Sequence, residues 1–316
     1  MRVLAAMLGR SSAKLSAHVL SASALIGESA SLFVYDPELS KNEASLSVPA
    51  VFDEGWLAIG EHPVLPEEIK NCLRKVLEMG DFSAVIFNDS PLSFWVAPLL
   101  AGELRLPIIT EVIGARKEEN KIIVIRPLNQ ESVWGEYEIL SDRFVLIIRR
   151  GSLFPKPSEL KKMFLEEMKI EKIGGKTEAI SWSETDGSKL EDAPIVIGIG
   201  DGVRQSNTLK EALELAKILG AEYCCTKPVV ESGIMERERI VGMSGKRISP
   251  KLYMALGISG SAYHLAGVMS SEIILSINLD RNSSMNKNSD YYYVGDLRTV
   301  LPRLIELFRQ MPSSPP

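Results

Sequence analysis

Short apolar runs alternate with amphipathic stretches over the first 110 residues. Val3 to Met7 predicts a strand, Ser12 to Ile26 an amphipathic helix stopped at Gly27, and Ser31 to Tyr35 a second strand. Trp56 to Ile59 reads as a third. Pro66 then stands at a first helical position, where its missing N–H costs nothing. Glu67 and Glu68 favour the positive end of that helix, which runs to Met79. Ser83 to Phe87 predicts a buried strand, Pro91 opens an apolar helix through Leu104, and Pro107 to Thr110 is the next strand. Strands separated by helices in this rhythm imply a largely parallel sheet.

From Lys121 the rhythm changes. Ile122 to Ile125, Trp134 to Leu140 and Phe144 to Ile148 are strand-like with no helix between them. Ser141-Asp142 resembles a hairpin turn, so an antiparallel edge on the sheet is expected. Lys161 and Lys162 with Glu166 and Glu167 fit a solvated helix face. Residues 151 to 191 hold Pro155, Pro157, Gly174, Gly175 and a polar run at 183 to 188, the texture of a domain boundary.

A second unit follows, with strands at Ile195 to Ile199, Glu222 to Thr226 and Ile273 to Asn278. Helices are expected at about 208–219, 261–269 and 297–309. Thr208-Leu-Lys-Glu211 matches a capping box. The expected fold is α/β in two domains, 1–191 and 192–316, each a largely parallel sheet flanked by helices.

Composition bounds the chemistry. Hydrophobic residues make up 45% and charged residues 24%, ordinary for a globular protein. A net charge of -5 offers no nucleic-acid footprint. Cys72, Cys224 and Cys225 are an odd number, and the vicinal pair cannot form an ordinary disulfide, which fits a reducing compartment. Cys224 and Cys225 read as small buried side chains. His18, His62 and His264 share no ligand spacing with the cysteines, so no zinc site is expected.

No apolar run reaches the ~18 residues of a membrane span. Residues 1–27 are Ser- and Ala-rich and free of acids until Glu28, as a mitochondrial transit peptide is. They also divide into the strand and helix that open the alternating pattern, and this structural reading is preferred. The expected compartment is therefore the cytoplasm of a prokaryotic type rather than a mitochondrial matrix.

Gly198, Gly200 and Gly202 are spaced G-x-G-x-G with Val203 next, so the dinucleotide fingerprint G-x-G-x-x-G is absent. Such glycines permit close approach of a ligand without demanding one. More informative is Val241-Gly-Met-Ser-Gly245, followed by Gly257-Ile-Ser-Gly-Ser-Ala-Tyr-His-Leu-Ala-Gly267. Gly260 and Ser261 lie where a helix begins, and its orphan N–H groups and dipole suit a phosphate. Ser259 and Ser261 add hydroxyls, and His264 follows a turn later. An ordinary Ser-capped helix with a satisfied histidine explains the same residues. Neither G-x-S-x-G, H-E-x-x-H nor a Walker A lysine loop occurs. The residues alone point to a nucleotide-sized phosphate ligand in the second domain.

Residues 192–310 resemble the FAD domain of the electron transfer flavoprotein alpha subunit. The matches are Gly198 to Gly202; Val241-Gly242 with Ser244-Gly245-Lys246; Pro250-Lys-Leu-Tyr253; Gly257-Ile-Ser-Gly260 with His264-Leu-Ala-Gly267; Ile277-Asn278 with Asp280; and Val294-Gly-Asp-Leu297 with Val300 and Pro302. The first 191 residues agree more loosely, in length and strand order, with that family's first domain.

The resemblance implies a second domain of the nucleotide-binding variant shared with deoxyhypusine synthase. It also implies a bound FAD and a beta subunit holding AMP or sometimes a second FAD. Electrons would enter from acyl-CoA or other dehydrogenases, as in fatty acid beta-oxidation, and leave to a quinone reductase or similar acceptor. The chain would thus be a redox carrier subunit rather than an enzyme with its own substrate.

The resemblance further implies a cofactor-binding set. Gly200 and Gly202 form the turn. Ser259, Gly260, Ser261, Ala262, Tyr263 and His264 surround the pyrophosphate and ribityl chain, with His264 near the flavin pyrimidine edge. Val241, Gly242, Met243 and Ser244 precede them, Ser244 standing for a Thr whose hydroxyl faces the flavin nitrogens. Asn278, Asp296 and Leu297 lie at the adenosine half. Thr226 stands where Ser is common, and Lys227 where an Arg lies over the ring, keeping the charge but losing the planar fork. The chain departs from the family at Asp201, where Arg is normal, and at Met243, where Gln is usual. Arg204, three residues past Asp201, can pair with it or take over the cationic role. Two other readings stay open: an NAD(P)-binding oxidoreductase subunit using the same domain, and a nucleotide-sensing module without redox chemistry. A bound yellow flavin separates them.

Overall fold

The computed structural model describes residues 1–9, 17–37, 39, 45–119, 121–129, 133–152, 154–155, 159–173, 189–191, 193–243 and 245–310. The chain divides into two compact units, Met1–Glu184 and Thr185–Pro316. The second unit takes in a 3-10 turn, Lys189–Glu191, because Leu190 is fully buried in its core.

The first unit contains, in chain order, β1 (Arg2–Leu8), α1 (Ala17–Ile26), β2 (Ser29–Tyr35), β3 (Ser45–Pro49), β4 (Phe52–Ile59), α2 (Pro66–Met79), β5 (Ala84–Asn88), α3 (Pro91–Leu104), β6 (Ile108–Val112), β7 (Gly114–Glu118), β8 (Lys121–Leu128), β9 (Val133–Ile139), β10 (Phe144–Ile148), β11 (Leu160–Phe164) and β12 (Glu166–Lys169). Seven of these strands form one sheet in the order β12-β4-β2-β1-β5-β10-β6, parallel at every pairing. Val3 to Leu8 are all fully buried, as a central parallel strand covered on both faces requires. Arg2–Leu8 therefore serves as the sheet's middle; residues 12–16, the start of the expected first helix, lie outside the described residues.

Local chemistry explains the helix ends. Glu68 reaches back to accept from the Leu65 backbone N–H at 2.9 Å, and Pro66 needs no donor. Ser90 accepts from the Ser93 N–H at 3.0 Å, with Pro91 as the first residue of α3.

Three expectations for this region change. The antiparallel strands do not extend the main sheet: β7, β8 and β9 form their own three-stranded sheet, with Ile122 and Val124 closing one core. No hairpin forms at Ser141-Asp142, because β10 pairs with β5 and β6 rather than β9. Residues 160–169 are two strands rather than a solvated helix. Met163, Leu165 and Ile170 are buried while Lys161, Lys162, Glu166 and Glu167 face solvent, so β11 pairs with β3 and β12 with β4.

The second unit contains β13 (Ile195–Ile199), α4 (Asp201–Ser206), α5 (Leu209–Leu219), β14 (Glu222–Cys225), α6 (Lys227–Glu231), β15 (Leu252–Leu256), α7 (Ala262–Leu265), β16 (Ile273–Asn278), α8 (Ser284–Lys287), β17 (Tyr291–Val294) and α9 (Leu297–Gln310). Its five strands are all parallel, in the order β14-β13-β15-β16-β17. The chain steps from β13 outward to β14, then returns to the other side of β13 to lay down β15. Thr208 caps α5 without a side-chain hydrogen bond, so the expected capping box does not form. Its hydroxyl lies instead 2.8 Å from Ser206 Oγ. The expected helix at 261–269 is a single turn, α7, followed by tight turns.

Candidate functional site: a switch-point cleft in the second unit

Ligands of open parallel sheets bind beyond the carboxyl ends of the strands, where strand order reverses. Here that point lies between β13 and β15. It requires two backbones to meet closely, which the glycines allow. A Cβ on Gly200 would sit 2.2 Å from the Gly257 carbonyl oxygen, and one on Gly202 would sit 2.8 Å from Gly257 Cα. The Gly202 N–H donates to the Gly257 carbonyl at 3.0 Å. Gly257 itself has φ +60°. Protein backbone, not ligand, therefore accounts for glycine at 200 and 202.

Above this contact opens a cleft of about 1420 Å³, larger than the ~300–1,000 Å³ of ordinary small-molecule sites. Its walls come from every strand end of the reversal: Gly202 and α4, Thr226 and Lys227 after β14, Val241 and Gly242, Ser259, Ser261, Tyr263 and His264 after β15, Asn278 after β16, and Asp296 and Leu297 after β17.

Most of the expected site residues meet here. Gly202, Thr226, Lys227, Val241, Gly242, Ser259, Ser261, Tyr263, His264, Asn278, Asp296 and Leu297 all line the cleft. Others do not. Gly200 lies beneath it against Gly257. Gly260, at φ +80°, is fixed by packing, since its Cβ would come within 2.2 Å of the Met285 backbone nitrogen. Met243 and Ala262 are exposed outside the wall. Ser244 lies outside the described residues. Arg204 is not in the wall either. Its Nε donates to Asp201 Oδ1 at 2.5 Å, Gln205 Nε2 donates to Asp201 Oδ2 at 2.6 Å, and these bonds hold the Asp201 carboxyl below its ordinary range. The Asp201 carboxylate thus enters the cleft already covered.

Three further side chains are occupied in the same way. Asp296 accepts from Arg298, a 2.9 Å ion pair that lowers its pKa. Asn278 Nδ2 donates to the Ile258 carbonyl at 2.7 Å, and its Oδ1 accepts from the Asp280 N–H at 3.0 Å, so it ties the β15 and β16 loops together. Lys227 Nζ stands 3.5 Å from Glu231 Oε1 one turn along α6.

His264 is buried, with Nδ1 3.0 Å from the Val241 carbonyl and Nε2 2.8 Å from Tyr253 Oη. Burial pushes its pKa down to about 4, against the smaller opposing pull of the Val241 carbonyl. It meets the cleft as a neutral ring.

Asn282, Ser283 and Ser284 were not singled out from sequence, and Asp280 only as part of the resemblance, although all four line the cleft. Their position after β16 is the signal: each loop at a carboxyl strand end faces the reversal. Among the described residues no cluster of His, Cys, Asp and Glu could hold a metal ion. Among them too, no helix is long and apolar enough to cross a membrane.

Residues 189–269 match the family model described as the electron transfer flavoprotein FAD-binding domain. The electron transfer flavoprotein subunit alpha of Bacillus subtilis (strain 168) is 28% identical over 242 residues, 76% of this chain and 74% of that relative. This chain is similar to electron transfer flavoprotein alpha subunits over most of its length. The mitochondrial alpha subunit of Oryza sativa subsp. indica is 29% identical over 254 residues, 78% of this chain and 70% of that relative. Protein FixB of Azotobacter vinelandii is 40% identical over 124 residues, 39% of this chain and 34% of that protein. The matched domain is described as FAD-binding, and the cofactor of the second unit is FAD.

Proposed function

We propose that FAD lies in the switch-point cleft and that the chain, with its beta subunit, carries electrons from dehydrogenases, acyl-CoA dehydrogenases among them, to a quinone reductase or similar acceptor. The observation that carries this is the coincidence of the matched region with the loops at the β13–β15 reversal. When bound, FAD supplies a centre that takes up and releases electrons singly or in pairs.

The lining suits that group. Hydroxyls of Thr226, Ser259, Ser261, Ser283 and Ser284 offer neutral donors for phosphate and ribose oxygens, and no metal ligand set is needed. Asp201 and Asp296 each arrive with an arginine partner, so an anionic ligand meets ion pairs rather than bare carboxylates. Lys227 brings a cation to the cleft mouth, where Glu231 tempers its field. Such a cation favours the reduced, anionic ring. His264 orients the pyrimidine side as an uncharged wall and carries no proton in or out at neutral pH.

We place the beta subunit's AMP, or a second FAD, outside this chain. The three free cysteines, all buried, favour a reducing compartment of cytoplasmic type. The test is co-purification with the beta subunit, heat release and counting of nucleotides. One FAD assigned to this chain is expected. Release of NAD alone, or of no nucleotide, refutes the reading.

A further inference from the structure

We propose that Arg298 and Leu279, two residues outside the set the resemblance implies, clamp the cofactor's adenine between a guanidinium face and an apolar side chain, and that Asp296 serves Arg298 rather than the cofactor. The proposal rests on FAD occupying the cleft, and it assigns the part of the cleft that selects the dinucleotide.

The cleft has a direction. Its five parallel strand ends, about 4.8 Å apart, span about 19 Å from β14 to β17, so an extended dinucleotide lies across them. Lys227 stands at the β14 end, and the hydroxyls of Ser259 and Ser261 follow the central strand β15. Asp280 and Asp296 bring carboxylates to the other end. Asp296 also caps α9, its Oδ1 accepting the Arg298 backbone N–H at 2.9 Å. An end so capped repels a phosphate and suits a neutral base.

Arg298 presents a flat surface. Its Nε lies 3.2 Å from Asp296 Oδ1 and 3.1 Å from Oδ2, and its Nη2 donates to Oδ2 at 2.9 Å. This fork grips the guanidinium by its edge, so the plane is fixed while its faces stay open. The pair carries no net charge. The Arg298 side chain is 68% exposed, and an exposed ion pair contributes little to stability. The pinning therefore shapes a surface rather than holding the fold.

Leu279 supplies the apolar side. It is 72% exposed, with Asn278, Asp280 and Asn282 around it in the wall. Asn278 pairs with Val294, and the Gly295 N–H donates to the Asn278 carbonyl at 3.1 Å. Leu279 thus leaves β16 beside the Gly295-Asp296 turn that leads to Arg298. A planar base stacks on a guanidinium through one face and on an aliphatic side chain through the other.

The apo complex with its beta subunit, titrated with FAD and with FMN, tests this, since FMN keeps the ring and one phosphate but lacks the adenosine. Arg298→Ser and Leu279→Ser should each weaken FAD about tenfold, as loss of a stacking partner does, and leave FMN within about twofold. Arg298→Lys keeps the charge without the plane and should not restore FAD binding, whereas Arg298→Phe keeps a flat face without the charge and should. Adding Asp296→Asn to Arg298→Ser should bring no further loss, because asparagine caps the helix as well. Equal losses of FAD and FMN, rescue by lysine but not by phenylalanine, or a further loss on adding Asp296→Asn overturns the proposal. Photolabelling with an azido-ADP reads the clamp without the flavin. The label should fall on the peptides that contain Leu279 and Arg298, and the peptide recovered separates it from any label on the beta subunit. A wild-type complex that binds no FAD but is labelled there, with the label lost in both serine variants, sinks the cofactor reading and leaves the clamp standing. Absence of label from those peptides overturns the clamp.

Discussion

Burying His264 as a neutral ring makes the second unit sensitive to acid. In the folded chain its pKa is pushed down to about 4, against 6.5 for an ordinary histidine. Between those values the unfolded chain binds a proton that the folded chain refuses, so stability rises with pH there. The contribution is therefore complete above about pH 6.5 and is lost as pH falls toward 4. The full span is ~2.5 pH units, or about 3 kcal/mol at ~1.4 kcal/mol per unit. From pH 7 to pH 5 the loss is about 2 kcal/mol, because at pH 5 the folded ring is still roughly nine-tenths neutral while the unfolded one is charged.

Urea unfolding at the two pH values measures it, comparing wild type with His264→Gln. All four tryptophans precede Thr185, so far-UV circular dichroism rather than tryptophan emission must follow the second unit. The variant starts less stable at pH 7 but should lose about 2 kcal/mol less on acidification. With slopes of ~1–3 kcal/mol per molar urea, that is a midpoint difference near 1 M. His18, also depressed mainly by burial, lies in the first unit and cancels in the comparison. Equal pH dependence in the two proteins would refute the buried neutral ring.

Three further outcomes are expected. Lys227→Ala should lower the flavin's first reduction potential only modestly, because the side chain is 66% exposed and Glu231 stands 3.5 Å away; photometric titration of the holo complex measures it, and a rise in potential refutes the assignment. Arg204→Ala should weaken FAD binding severalfold by baring the Asp201 carboxylate, while Asp201→Asn with Arg204→Ala should restore it; apo-complex titration distinguishes these, and a double variant as weak as the single one argues against Asp201 repulsion. Gly260→Ala combines a left-handed backbone with a 2.2 Å approach to the Met285 nitrogen, so a loss of ~2–4 kcal/mol should appear in thermal melts, and a wild-type melt contradicts that packing.

What could be read in the sequence was whatever is decided locally. Pro66 and Pro91 marked two helix starts, since proline, Ser90 and Glu68 act within one turn. Phe144 to Ile148 was recognisable as a buried strand, but its neighbours were not: whether it pairs with β9 or β5 is a matter of long-range topology. Leu160 to Lys169 was misread because spaced lysines and glutamates satisfy a helix face as well as the solvent side of two strands. The deciding alternation of Met163, Leu165 and Ile170 is short. Strand β15 escaped notice inside the Pro250-to-Gly267 stretch, and with it the reversal that locates the cleft.

The site shows the same division more sharply. Hydroxyl-rich loops and a histidine suggested a phosphate ligand, and most of those residues do converge, because loops after parallel strands share one edge of the sheet. The glycines carried a signal of a different kind. Gly200, Gly202 and Gly260 each record a close approach of backbone to backbone, and Gly198 an approach of a hydroxyl. In no case does the spacing say which neighbour is approached. Tyr253 lies 11 residues from His264, and Gly198 is farther still, so neither partner could be inferred before the register of β13 against β15 was known. The pairing of Val196 with Tyr253 places the Tyr253 hydroxyl over Gly198, two residues along, and within reach of His264 Nε2. A one-residue slip would send Tyr253 to the opposite face of the sheet. The histidine's hydroxyl partner is therefore a property of sheet pairing, which no local reading of Ser-Gly-Ser-Ala-Tyr-His can contain.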